Sequence, residues 1–126
     1  MVDTSPFPDL QAANKQLLVL RDKDATAEFN KGATKFIADL CQKNKLSYLF
    51  KDKYVEESNQ FLISRGEAPH SLGSTELGRI IAASNGLVDG TTIQIPTIGY
   101  HTMQESAAIA SVEAFLTLLT SLSNEL

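Results

Sequence analysis

The sequence predicts an α/β domain, a three-layer αβα sandwich with helices on both faces of a mostly parallel sheet. Three observations lead there. Short apolar runs of strand length alternate along the chain with longer segments of helical period. The first run, Gln16-Leu17-Leu18-Val19-Leu20-Arg21, is apolar at four consecutive positions, as suits a strand covered on both faces. The 126 residues, 43% apolar and 21% charged, suffice for one core and are too few for two.

Taken in order, residues 1–15 carry Pro6 and Pro8 with no apolar period and are expected to be an irregular arm. The single α/β domain is expected over 16–126. After the strand at 16–21, Asp24-Ala25-Thr26 can cap a helix whose apolar face is Phe29, Ala33, Phe36, Ile37 and Leu40. Ser47-Tyr48-Leu49-Phe50 reads as a second strand. Residues 52–59 are polar and fit a loop or a helical turn, Gln60 to Arg65 looks strand-like, and Gly66 to Gly73 is a loop. A helix is expected from Ser74, with Leu77, Ile80, Ile81 and Ser84 on one face and Asn85-Gly86 closing it. Thr91 to Ile95 is a strand expected to stop at Pro96, which has no N–H to donate. The last helix is expected after Ser111, burying Val112, Phe115, Leu116, Leu119 and Leu122.

The charge balance narrows the function classes. Eleven basic against fifteen acidic side chains give a net charge of -4, and the basic residues are scattered, which argues against a nucleic-acid partner. No apolar run approaches the ~18 residues of a membrane span, so no membrane partner is expected. The start, MVDTSPFPDLQ, has neither the basic n-region nor the apolar h-region of a signal peptide. With one cysteine, Cys41, a cytoplasmic, reducing location is the expectation, and Cys41 itself fits a small core residue.

In an α/β sheet, ligands sit beyond the carboxyl ends of strands. That makes the loop Pro96 to Glu105 the place to seek chemistry. His101 there suits a zinc ligand or proton relay, and equally an ordinary surface histidine. His70 has the same two readings. Glu105, four residues on, shares a face with His101 only if the segment is helical. Gly73-Ser74-Thr75 opens a helix, and its backbone N–H groups suit either an anion or simple capping. It is no phosphate loop, for no Lys-Ser or Lys-Thr follows in a glycine frame, and no nucleophile elbow is present.

The stretch from Gly73-Ser74-Thr75-Glu76-Leu77-Gly78 through Ile95-Pro96-Thr97-Ile98-Gly99-Tyr100-His101-Thr102 to Glu105 resembles the C-terminal part of the co-catalytic zinc aminopeptidases: aspartyl aminopeptidases and the related glutamyl or tetrahedral aminopeptidases. The resemblance runs, more loosely, from Leu17 to Leu122. It implies that His101 is the last metal ligand of a two-zinc site and that Gly73, Ser74, Thr75, Tyr100 and Glu105 belong to the substrate pocket. It also implies zinc as cofactor and a peptide as substrate. The family's other histidine ligand, its bridging aspartate and its general-base glutamate lie in an upstream region with no counterpart here, while Lys51 to Asn59 is extra. The chain is therefore expected to be a fragment or truncated homologue, inactive alone, that pairs with the missing N-terminal half and self-associates. The alternative is a stand-alone, non-catalytic binding or regulatory module.

Overall fold

A computed structural model describes residues 1–126. The sheet is built from β1 (Val2–Pro6), β2 (Leu18–Leu20), β3 (Tyr48–Phe50), β4 (Ile93–Ile98) and β5 (Ser106–Ala107). The strand order is β1-β4-β2-β3, with β5 also on β4. Parallel ladders, β1 with β4 and β2 with β3, carry most of the pairing. The antiparallel contacts are short: Val19 opposite Gln94, and the β4–β5 hairpin.

Helices α2 (Lys31–Lys43) and α5 (Ile109–Glu125) cover one face, while α1 (Leu10–Ala13) and α3 (Lys51–Ser64) lie on the other. Helix α4 (Glu76–Ala83) precedes β4. This is the expected α/β sandwich. Its main core joins Leu18, Leu20 and Ile93 of the sheet to Ile37, Ala38, Leu40 and Cys41 of α2 and to Ala114 and Leu118 of α5. A smaller core of Phe7, Ala13 and Val19 lies on the opposite face. That second face is only partly apolar, and the polar remainder becomes the cleft.

Several elements differ from expectation. The arm expected over 1–15 holds β1 and α1. The Val-Asp-Thr-Ser-Pro segment has no apolar period because ladder hydrogen bonds to β4, rather than a buried side-chain stripe, hold it in the sheet. Gln60 to Arg65 is not a strand, since α3 runs from Lys51 to Ser64 with no glycine or proline to stop it, leaving Phe61 and Ile63 exposed. Strand β4 continues through Pro96 to Ile98. Ile93 N–H bonds Met1 O and Phe7 N–H bonds Thr97 O, both at 2.9 Å, so odd-numbered residues of β4 turn their backbone groups to β1. Pro96 turns to the other edge, in the gap between the Val19 contact and β5, where no donor is required.

Helix α2 is capped by Asn30, not by the Asp24 segment. Helix α5 begins at Ile109 and buries Ser111, Ala114 and Leu118; Val112 and Leu116, expected inside, are exposed. Ile80 of α4 is also exposed, while Leu77 is buried.

Candidate functional site

A cleft of about 360 Å³ opens on the partly polar face of the sheet. Strand alternation puts Val19 and Arg21 on the face opposite Leu18 and Leu20, and Gln94 joins them from β4. Arg21 is 5% exposed, donating from Nε to Gln94 Oε1 at 2.8 Å and from Nη1 to Leu72 O at 2.8 Å. Lys51, the first residue of α3, is 7% exposed and also lines the cleft. Its Nζ donates to Pro6 O at 2.5 Å and lies 3.5 Å from the centre of the Phe7 ring.

Neither cation forms an ion pair. Burial lowers the Arg21 pKa against the opposing pull of Asp24, Asp52, Asp3 and Tyr100, though the guanidinium remains charged. Burial, and then the Arg21 charge, push the Lys51 pKa down to about 8. Asp3 supplies a carboxylate on the cleft wall; its Oδ1 accepts from Thr4 N–H and its Oδ2 from Gln94 Nε2.

Gly73, Ser74 and Thr75 form the next stretch of wall, and Asp24 fixes them. Its Oδ2 accepts from Thr75 N at 2.7 Å and Thr75 Oγ1 at 2.8 Å, while Oδ1 accepts from Thr26 and Ala27 N–H. Thr75 caps α4 by accepting from Gly78 N–H. Burial works to raise the Asp24 pKa, but these donors outweigh it and hold the carboxylate below its ordinary value. A Cβ on Gly78 would overlap the Asp24 carboxylate, so glycine is what lets α4 approach this turn. His70 also lines the cleft; its backbone exchanges hydrogen bonds with the Asn59 side chain, tying the loop to α3.

The loop after β4 divides the expected site residues. Tyr100 lines the cleft. His101 stacks on Tyr100 at 3.8 Å between ring centres, has φ 58°, and is exposed outside the cleft wall. Glu105 accepts from Thr4 Oγ1 at 3.2 Å and Thr97 Oγ1 at 3.0 Å, so it tethers the loop to β1 and β4 rather than lining the cleft. Cys41 is buried against α5 and the sheet, its pKa pushed up to about 11 by burial.

The residues present do not fit zinc. No three of the histidine, cysteine, aspartate and glutamate side chains come together as a metal site. The cleft wall carries Arg21 and Lys51 where a divalent cation would need anionic or neutral donors.

This fold is similar to that of PhTET1-12s, a dodecamer, at a TM-score of 0.63. The superposition covers 97% of this chain and 32% of that one at 12% identity, so this chain spans about a third of the neighbour's length. No family model matches the sequence, and no curated protein does. Arg21 and Lys51 are the cleft residues that reading the sequence missed. Arg21 carried one signal, its two-residue offset from Val19 at the end of an apolar strand; Lys51 carried none, because the residues after it fit a loop or a helical turn and then a strand, with no apolar stripe to mark one long helix.

Proposed function

We propose that this chain is a binding module on a peptidase-like fold that builds no metal centre of its own and does not hydrolyse peptides by itself. The observation that carries this reading is the pair of buried, acid-unpaired cations, Arg21 and Lys51, in the cleft bordered by Gly73, Ser74, Thr75 and Tyr100. Two positive charges repel a divalent cation and attract an anionic group. The test is metal analysis of the purified chain beside a peptide-hydrolysis assay. Less than stoichiometric zinc and no hydrolysis are expected. Two tightly held zinc ions per chain, or hydrolysis abolished by His101→Ala, would overturn the reading.

One observation favours a second reading, in which the chain is part of a zinc aminopeptidase and lends one ligand to a centre completed by another polypeptide. The His101 ring is exposed beside the cleft, open to a partner that brings further ligands. Under that reading, mixing with the missing half restores peptide hydrolysis, and His101→Ala prevents it. Self-association belongs to both readings. It is supported by the exposed Ile80 and Leu87 after β3 and by Ile109 and Leu116 of α5, and by the dodecameric state of PhTET1-12s. Sedimentation at graded concentrations tests it, and a monomer throughout would remove it.

A further inference from the structure

We propose that Lys51 Nζ is a nucleophilic amine that condenses with the carbonyl carbon of a small oxo acid whose carboxylate is held by Arg21. This rests on the cleft being a metal-free binding site, as proposed above. Four features of the structure support it. Lys51 is buried at the cleft wall with Pro6 O as its one hydrogen-bond acceptor and no carboxylate in ion-pair contact. It occupies the first position of α3, at the positive end of the helix dipole, where an ammonium is disfavoured. The Arg21 charge bears on it from the same wall. Asp3, Tyr54, His70 and Tyr100 are the other titratable groups that line the space, and Asp3 alone among the cleft residues is acidic. All of this favours the free amine, the form that attacks carbonyls, and a lysine beside a second cation is a recurring way to make one.

Arg21 supplies the selectivity. Its planar fork has five N–H donors, and the hydrogen bonds to Gln94 and Leu72 use two, leaving donors for a carboxylate. The cleft volume of about 360 Å³ suits a small ligand. The reaction needs no co-reactant. The Nζ lone pair forms the C–N bond, the C=O electrons move to oxygen, and that oxygen leaves as water with both amine protons. The products are the imine and water. The amine can keep donating one N–H to Pro6 O as the attack begins.

The test incubates the full chain at pH 7.5 with pyruvate and cyanoborohydride, and in parallel with propionaldehyde, which lacks the carboxylate; adducts are mapped by peptide mass spectrometry. The other seven lysines are exposed or half-exposed and serve as internal controls. At pH 7.5 an amine with a pKa of about 8 has a free fraction about two hundred times that of one at the ordinary 10.5, so a preference of at least about tenfold for Lys51 is expected after its poorer access. Arg21→Gln should lower both adducts, because the amine loses the neighbouring charge, but the pyruvate adduct several-fold further, because its carboxylate loses its partner, with Arg21→Lys intermediate; circular dichroism checks that each variant folds. Pyruvate labelling spread over the exposed lysines overturns the proposal, as does an Arg21→Gln effect equal for both reagents. Zinc is measured on the same sample. A zinc-free chain with Lys51 unlabelled sinks this inference alone, whereas stoichiometric zinc sinks the binding-module reading whatever the labelling shows.

Discussion

Replacing Lys51 with methionine should stabilise the protein at neutral pH. Lys51 is 7% exposed, and its pKa falls from an ordinary 10.5 to about 8. At ~1.4 kcal/mol per pKa unit, folding with the charge in place costs about 3 kcal/mol at pH 7. Methionine keeps an unbranched stem against the Phe7 ring but loses the bond to Pro6 O, worth about 1–2 kcal/mol. The net gain is about 1–2 kcal/mol, or roughly 4–8 °C in Tm for a chain of this size. The sign with pH follows from the lowered pKa. Between about pH 8 and 10.5 the unfolded chain binds the proton that the folded chain has released, so wild-type stability rises with pH through that window. Thermal unfolding of both proteins at pH 7 and 9.5 measures the gap between them. The gap should shift by about 2 kcal/mol in favour of wild type at the higher pH, enough to close it or reverse it slightly, because only wild type carries the titrating amine. A Lys51→Met protein less stable than wild type at pH 7, or a gap indifferent to pH, would refute the picture of a strained buried ammonium.

Two further predictions concern the clamp behind the cleft. Asp24→Asn should cost about 1–3 kcal/mol at pH 7, since one carboxylate accepts from Thr75, Thr26 and Ala27. Because the Asp24 pKa is lowered in the fold, wild type holds that advantage above the ordinary carboxylate range and loses it as pH falls through the folded value; urea titrations at pH 7 and 3 should show the gap closing. Gly78→Ala should cost about 1–3 kcal/mol by driving its new methyl into the Asp24 carboxylate, and combined with Asp24→Gly it should cost less than the two single changes summed. Additive costs would show that the contact is not the cause.

Segments whose own residues carry the signal were legible in the sequence. The apolar run at Leu18–Leu20, the Ile37 and Leu40 face of α2 and the Tyr48–Phe50 strand are where the pattern puts them, whereas Phe29 precedes α2 and Phe36 is exposed on it. The turn at Gly73–Thr75 does begin a helix, and Cys41 is core. Strand β1 escaped notice because its stability comes from a partner about ninety residues away, a pairing that leaves no local period. Within the candidate site, Gly73, Ser74, Thr75 and Tyr100 fall together around one cleft, whereas His101 and Glu105 lie outside its wall.

By itself, the sequence determined the α/β class, the existence of one dominant core and the segments that build it, because apolar periodicity is a local property that burial later satisfies. Only the tertiary structure decided what chemistry the cleft offers. Arg21 and Lys51 stand thirty positions apart on separate elements, and their charges count as unusual only once packing removes water from both and leaves neither in ion-pair contact with an acid. Desolvation is a property of the assembled fold, and no spacing of letters encodes it.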